Sequence, residues 1–202
     1  MLYCFEDFSE LPPGWLERVL PILSEQRKER VLAYAMPKDR RNSALGYLLL
    51  CYGLRREYGI TELPTFVYEK KGKPRLAEYP EIHFSISHCT GCVACALSES
   101  EVGLDVQDIR PVSDAVIRRV CNPLEQSRIW DSEQRETVFA SFWSVKESIA
   151  KLLGCGIATD FKQLTLPEEL RAYQIHTTRR RNYFITVSSH LRSNETKAPL
   201  HV

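Results

Sequence analysis

The segment that most constrains the fold of this chain is a stretch of helical periodicity that ends at Leu153. At about 100° per residue, one side of this helix is apolar, and the nearly opposite side carries an aromatic ring, a carboxylate and an amine. The apolar stripe consists of Val138, Phe142, Val145, Ile149, Leu152 and Leu153. The second face consists of Trp143, Glu147 and Lys151, at four-residue spacing. A solvated Glu–Lys pair beside an exposed Trp is the ordinary interpretation of such a face, so the rest of the sequence has to decide its function.

Periodicity elsewhere predicts helices on both sides of a β-rich centre. Two amphipathic helices are predicted between Ser24 and Tyr58, with a break near Met36 and Pro37. The segments predicted as strands are TFVY, which runs into the Gly/Pro loop EKKGKPRL, then HFSISH and GCVACALS, joined at Cys89-Thr90-Gly91, and finally YFITVS in the tail. Helical spacing returns between about residues 112 and 153.

A further strand is predicted at VGLDVQD, residues 102–108. Its apolar residues alternate with Gly103, Asp105 and Gln107, and alternate side chains of a strand lie on opposite faces. Asp105 and Gln107 are therefore expected on one face, pointing away from at least one layer of the core.

Composition excludes several classes of protein. The 27 basic and 26 acidic side chains nearly cancel, so no overall field attracts nucleic acid or an anionic membrane. The best apolar run, LGYLLLCYGL, is about half the ~20 residues that a membrane span needs. The first residues are acidic and contain no apolar run of the kind found in signal peptides. A cytoplasmic protein of one large or two small domains is expected, with no nucleic-acid or membrane partner.

The seven cysteines are scattered along the chain and are expected to be reduced thiols rather than a disulfide framework. Cys89, Cys92 and Cys95 have the spacing of an iron–sulfur run, but the fourth ligand position falls at Glu99. Small buried thiols are the favoured interpretation.

Four motifs occur in a fixed order along the chain. They are GKP at residues 72–74, FSISH at 84–88, GLDV at 103–106 and FWSVKESIAKLLGCGI at 142–157. Together they resemble the phosphopantetheinyl transferases of the monomeric, pseudo-dimeric type that serve peptide, polyketide and fatty-acid synthases. The resemblance covers roughly residues 27–166, and its most specific part is the last motif.

The resemblance implies an α/β fold of two similar halves related by a pseudo-twofold axis, with coenzyme A bound in the cleft between them. Residues 1–100 would supply elements that bind the nucleotide, and residues 101–202 the metal site and the catalytic helix. The implied enzyme is a monomer. It transfers the 4′-phosphopantetheine arm of coenzyme A to a serine of an apo acyl, peptidyl or polyketide carrier protein, and 3′,5′-ADP is released.

The resemblance also assigns a Mg²⁺ site to Asp105 and Glu147, and carboxylates are ligands that Mg²⁺ prefers. The family pattern has a Glu where this chain has Gln107, so the amide oxygen of Gln107 either ligates the ion or leaves its position to a water. Lys151 is expected to contact the phosphates and to stabilise the transferred group. Glu147 is a further candidate to take the serine proton, directly or through a water, and Trp143 is expected to pack at the foot of the site.

The coenzyme A contacts implied by the resemblance lie in three segments. Ser87 and His88 end a strand, and His88 matches a family histidine that contacts a phosphate. Gly72, Lys73 and Pro74 are expected along the adenine and its 3′-phosphate. Arg41, with Arg40 as the alternative, lies where the family has an arginine for the 3′-phosphate, and a guanidinium suits that dianion.

Two alternatives to this function remain at the level of sequence. Another Mg²⁺-dependent phosphoryl-transfer enzyme or hydrolase could use Asp105 and Glu147 on a different substrate, although the chain contains no GxxxxGK[ST] phosphate-binding loop. A catalytically weakened coenzyme A- or carrier-binding protein of the same fold is the second, for which Gln107 is the hint.

Overall fold

A computed structural model of the chain describes residues 1–156 and 160–191, so that Ile157, the last residue of the fourth motif, lies outside the described residues. The helices are α1 (Trp15–Val19), α2 (Glu25–Ala33), α3 (Pro37–Tyr58), α4 (Asp114–Val120), α5 (Pro123–Trp130), α6 (Arg135–Leu153) and α7 (Pro167–Leu170). The strands are β1 (Leu2–Phe5), β2 (Phe66–Tyr68), β3 (Pro74–Leu76), β4 (His83–His88), β5 (Val93–Ser98), β6 (Val102–Asp108), β7 (Tyr173–Arg179) and β8 (Tyr183–His190).

The two predicted N-terminal helices are confirmed, and their ends follow from capping chemistry. Ser24 caps α2, because its hydroxyl accepts a hydrogen bond from the backbone N–H of Arg27. Pro37 begins α3 at a position where its missing N–H costs nothing, and Gly59 ends that helix in the left-handed conformation. The break predicted near Met36 is the short extended link between these helices.

The same order of elements occurs twice along the chain. In the first half β1 is followed by the long helix α3 and the hairpin β4–β5, and the sheet order is β1-β5-β4. In the second half β6 is followed by the long helix α6 and the hairpin β7–β8, and the sheet order is β6-β8-β7. This repeat confirms the prediction of two similar α/β halves. The sequence pattern did not predict β1, and the separate roles given to residues 1–100 and 101–202 stay a prediction.

The two sheets meet where β4 lies beside β6. Two serine hydroxyls of β4 accept hydrogen bonds from the backbone of β6: Ser85 Oγ from the N–H of Leu104 at 3.0 Å, and Ser87 Oγ from the N–H of Val106 at 3.1 Å. The FSISH motif is thereby held against the strand that carries Asp105.

Helix α6 packs closely on β6. A Cβ at Gly103 would lie 1.9 Å from the backbone oxygen of Ser148, so only glycine allows the strand this close to the helix. The face of β6 that carries Asp105 is therefore covered, and Asp105 is only 5% exposed. The prediction that Asp105 and Gln107 lie opposite the apolar residues is confirmed, but both faces at Asp105 are buried.

The predicted apolar stripe of α6 is wrong at its end. Ile149 and Leu152 are buried, whereas Leu153 is 41% exposed because the helix ends there at the surface. Lys146, which the periodicity placed on no special face, is fully buried.

The positions of the cysteines and the lengths of the helices bear on two further predictions. Cys89, Cys92 and Cys95 are buried, as predicted, and their thiols are free. In the described ranges, no helix is long and apolar enough to cross a membrane.

Candidate active site

A cavity of about 400 Å³ opens beside the junction of the two sheets. Its walls come from both halves of the chain: from α2 and the start of α3, from β4, from the loop before β3, and from the last turns of α6. Six of the predicted site residues line it, namely Gly72, Lys73, Pro74, His88, Glu147 and Lys151.

Asp105, Ser87 and Lys151 form one hydrogen-bonded cluster. Lys151 Nζ lies 2.8 Å from Asp105 Oδ1 and 2.8 Å from Ser87 Oγ. The Ser87 hydroxyl donates to Asp105 Oδ1 at 3.1 Å and accepts from the backbone of Val106. Ser87 therefore uses its one proton and both lone pairs to fix the lysine and the aspartate relative to each other.

The second carboxylate oxygen of Asp105 is the unusual atom of this cluster. Oδ2 is buried, and no hydrogen-bond donor reaches it from any described residue. A buried anionic oxygen without a partner is costly, and a bound cation is one way to satisfy it. The donor set here, a free carboxylate oxygen with a second carboxylate on the neighbouring helix, suits a hard divalent cation.

Glu147 supplies that second carboxylate, one turn before Lys151 on α6. Burial raises the pKa of Glu147, the ammonium of Lys151 lowers it, and the negative charge of Asp105 raises it again, so that the pKa lies above its usual range. A cation bound between the two carboxylates would reverse the effect of Asp105.

Gln107 is half-buried on the same strand as Asp105. Its side-chain Nε2 donates to the backbone oxygen of Asp108 at 3.0 Å, which orients the amide. Within residues 1–156 and 160–191, no group of three or more His, Cys, Asp or Glu side chains converges on a metal site. A metal ion at Asp105 would therefore have two carboxylates within reach, with the amide of Gln107 or water as a further ligand.

His88 lies in the cavity wall next to the cluster. Its Nδ1 is 3.4 Å from Asn42 Nδ2. Burial and the nearby Lys151 ammonium lower the pKa of His88, although Asp39 and Asp105 oppose this, so the free imidazole is neutral at pH 7.

The arginines predicted for the 3′-phosphate lie outside the cavity wall. Arg40 Nε donates to the backbone oxygen of Tyr34 at 2.6 Å, and Arg41 stacks on Phe8 and donates to the side chain of Asn42. Neither guanidinium is among the groups that line the cavity.

Two other arginines, which sequence reasoning missed, line the cavity instead. Arg27 and Arg30 lie on one face of α2, and Arg27 Nη2 donates to the backbone oxygen of Ser43. Arg27 Nε and the hydroxyl of Ser43 are buried without a partner in the described part of the chain. The three-residue spacing of the two arginines on a short capped helix was the signal available in the sequence.

Comparison with known proteins decides which family this arrangement represents. The sequence profile of the 4′-phosphopantetheinyl transferase superfamily matches residues 101–199, the half that carries Asp105, Glu147 and Lys151. Curated relatives from several bacteria match the larger part of the chain and are named 4′-phosphopantetheinyl transferases. The chain belongs to the 4′-phosphopantetheinyl transferase superfamily.

Three relatives within this superfamily give the extent of the similarity. The chain is 26% identical over 151 residues to a 4′-phosphopantetheinyl transferase of Bacillus subtilis, an alignment that covers 73% of this chain and 67% of the relative. It is 28% identical to psf-1 of Bacillus pumilus, covering 74% and 66%, and 30% identical to HetI of Nostoc, covering 73% and 66%. The alignments thus span about two thirds of the relatives' own length.

A solved structure, that of holo-[acyl-carrier-protein] synthase from Thermotoga maritima, aligns with 46% of this chain and 64% of that chain at 19% identity. Its TM-score of 0.38 is too low to support an inference.

Trp143 and Lys146, two residues of the fourth motif, support the site but do not line the cavity. Trp143 packs between the rings of Phe139 and Phe161, and Phe161 lines the cavity. Lys146 Nζ donates to the backbone oxygen of Phe161 at 2.6 Å and pairs with Glu125 Oε2 at 2.9 Å. These two side chains fix Phe161, which lines one side of the cavity.

Proposed function

We propose that this protein transfers the 4′-phosphopantetheine arm of coenzyme A to a serine hydroxyl of an acyl, peptidyl or polyketide carrier protein and releases 3′,5′-ADP. The observation that carries the proposal is Oδ2 of Asp105, which no donor reaches among the described residues. It lies next to Lys151 and Glu147, and these two residues line a cavity whose other walls carry Arg27 and Arg30.

In this reaction the serine oxygen bonds to the β-phosphorus of coenzyme A, and the bond from that phosphorus to the 3′,5′-ADP oxygen breaks. Catalysis of phosphoryl transfer rests mainly on positioning and on stabilising negative charge. Lys151, fixed by Ser87 and Asp105, presents its ammonium group to the phosphate that leaves.

A Mg²⁺ ion would be held by Asp105 Oδ2 and Glu147, with the amide oxygen of Gln107 or a water completing the protein side. When bound, such an ion neutralises diphosphate charge and favours the departure of 3′,5′-ADP. Oδ2, which no donor reaches from the residues that the structure describes, is the feature that fits the ion.

Glu147 is the candidate acceptor for the serine proton. The proton would pass to this carboxylate directly or through a water; the pKa that burial raises in the free protein would fall again once a cation binds beside it.

The 3′-phosphate would be bound by Arg27, Arg30 and the hydroxyl of Ser43. Arg27 and Ser43 line the cavity, and the buried Arg27 Nε and Ser43 Oγ have no hydrogen-bond partner among the described residues, so a phosphate dianion that reached them would satisfy both. This replaces Arg40 and Arg41, whose guanidinium groups are engaged elsewhere. His88 supplies a further contact, and the backbone at Gly72 and Pro74 lies where the adenine would pass.

The experiment is incubation with coenzyme A, Mg²⁺ and several purified apo carrier proteins, with the carrier mass and released 3′,5′-ADP as readouts. A carrier heavier by one phosphopantetheine, together with an equal amount of 3′,5′-ADP, is the expected result. Omitting Mg²⁺ is the control. Tight binding of coenzyme A with no product on any carrier would instead indicate the weakened binding protein.

A further inference from the structure

The amine of Lys73, the lysine of the GKP motif, forms hydrogen bonds to other residues of the protein. Its side chain is 8% exposed, and Nζ lies 2.5 Å from Glu101 Oε2 and 2.7 Å from the backbone oxygen of Leu152. An ammonium group has three N–H donors, and two of them are used by these contacts. The charge is also neutralised by the nearby carboxylate.

The carbonyl that Lys73 reaches belongs to the last turn of α6. The final carbonyls of a helix have no partner within the helix and carry the negative end of its dipole, so a lysine there is stabilising. Leu152 directly follows Lys151, the residue proposed to act on the phosphates. The amine of Lys73 thus caps the helix turn that carries the catalytic ammonium.

The aliphatic part of Lys73 makes a second contact with this turn. Gly154 ends α6 with φ of 62°, and a Cβ there would lie 3.1 Å from the Cδ of Lys73 and 3.3 Å from Glu69 Oε2. The left-handed backbone favours glycine here, and a side chain at this position would also press on Lys73.

Glu101, the carboxylate that holds Lys73, lies in the link between the two halves of the fold. It also accepts from Arg75 Nη2 and lies 3.4 Å from His83 Nδ1, while Arg75 Nε reaches Glu69 at 2.6 Å. Burial alone raises the pKa of Glu101, but hydrogen bonds from Arg75 and Lys73 hold it below its usual range. The link, the loop before β3 and the end of α6 are thereby joined by one ionic network.

We propose that Lys73 is a positioning residue that fixes the last turn of α6, and with it Lys151, against the loop at residues 71–74 and against Glu101. It does so instead of binding a phosphate of coenzyme A. Its effect on turnover rests on the proposed transfer reaction, whereas its effect on the helix end does not. Placement matters here because a displacement of about 1 Å at a reacting group can reduce the rate roughly 100-fold.

The test compares Lys73→Met, Lys73→Arg and Glu101→Gln with Lys70→Met, an exposed lysine of the same loop with no ion pair among the described residues. We expect Lys73→Met to lower kcat roughly 10- to 100-fold and to leave the Kd for 3′,5′-ADP within about twofold. Lys73→Arg should restore part of kcat, and Lys70→Met should behave as wild type.

Measurements that do not depend on catalysis separate the positioning role of Lys73 from the proposed transfer reaction. Thermal unfolding of Lys73→Met, Glu101→Gln and the double variant should show coupling, with the double variant losing less than the sum. Amide exchange at residues 150–154 should become faster in Lys73→Met. If these results are obtained while the wild-type protein shows no transfer activity, the transfer reaction is contradicted and the positioning role is still supported. A Kd raised tenfold or more with kcat unchanged, or additive unfolding losses, would overturn the positioning role.

Discussion

Lys151 Nζ contacts only one oxygen of Asp105, at 2.8 Å from Oδ1, and the other oxygen, Oδ2, is buried with no donor among the residues that the structure describes. The ammonium group of Lys151 thus pairs with one side of the carboxylate and leaves the other oxygen free of contacts with the described residues. Ser87 donates to the same Oδ1, so both neighbours of Asp105 engage one side of the carboxylate.

Replacing Asp105 with Asn tests the role of this free oxygen. The amide keeps the shape but removes the charge that would bind Mg²⁺, so transfer to a carrier should fall about 100-fold or more. The measurement is turnover across a magnesium titration, with circular dichroism to verify folding. Asp108→Asn, on the same strand, is the control and should retain activity. Turnover by Asp105→Asn near that of wild type at low magnesium would contradict the metal assignment.

Arg30→Met should weaken coenzyme A binding through the 3′-phosphate alone. Charge-assisted hydrogen bonds of this kind contribute about 1.5–3 kcal/mol, which corresponds to a loss of roughly tenfold or more in affinity. Dephospho-coenzyme A lacks that phosphate, so its affinity should hardly change. Arg40→Met is the matched control, and calorimetry with both ligands is the measurement. A selective loss in Arg40→Met rather than Arg30→Met would return the 3′-phosphate to the arginine predicted from the sequence.

The structure brings the predicted residues Asp105, Glu147 and Lys151 together but leaves Arg40 and Arg41 outside the cavity wall, for a physical reason. Asp105, Glu147 and Lys151 lie in regular elements, where a period of two or of 3.6 residues fixes the face on which each side chain lies. Arg40 and Arg41 lie just after the link between α2 and α3, and the direction in which α3 leaves that link depends on tertiary packing. No local pattern gives that direction, so Arg27 and Arg30 were missed.

The periodicity of the sequence also did not predict that the charged residue Lys146 is buried. Lys146 is surrounded because it contacts α5 through Glu125 and also contacts Phe161 and Thr165, and Glu125 is 21 residues away in the sequence. The short strand β1 was missed because four residues carry too little pattern to distinguish a strand from a loop.

Lys146→Met should destabilise the fold strongly. Burial lowers the pKa of Lys146 and Glu125 raises it, and removing the amine would leave Glu125 buried without its cation. Breaking a buried pair in this way costs about 3–5 kcal/mol of unfolding free energy. Urea unfolding measures it. Lys28→Met removes an exposed pair with Glu25 and should change stability by less than about 1 kcal/mol. Equal losses of unfolding free energy in Lys146→Met and Lys28→Met would show that the buried pair contributes no more to stability than the exposed pair.

Binding of 3′,5′-ADP should be linked to protonation of His88. In the free protein burial and Lys151 hold the pKa of His88 below its usual range, and a bound phosphate favours the imidazolium and raises that pKa. Between the two pKa values the complex therefore takes up a proton, and affinity rises as the pH falls. Calorimetry at about pH 6.5 in two buffers of different ionisation enthalpy measures the uptake. His88→Gln should abolish it, and uptake that survives in this variant would exclude His88 as its source.

Gln107 is the position at which this chain departs from the Asp-x-Glu pattern, and a magnesium titration can define its role. Its Nε2 is held by the backbone oxygen of Asp108, so the amide oxygen is oriented and accepts no hydrogen bond from the residues that the structure describes. If that oxygen binds the ion, Gln107→Ala should raise the magnesium concentration needed for half-maximal transfer. Gln107→Glu should lower it, because Mg²⁺ prefers an anionic oxygen.

If a water fills the position instead, Gln107→Ala should change little while Gln107→Glu still lowers the requirement. The three proteins are compared at saturating coenzyme A and carrier, so that only the ion concentration limits the rate. A titration that responds to neither substitution would show that Gln107 lies outside the metal shell, and the protein ligands would then be Asp105 and Glu147 alone.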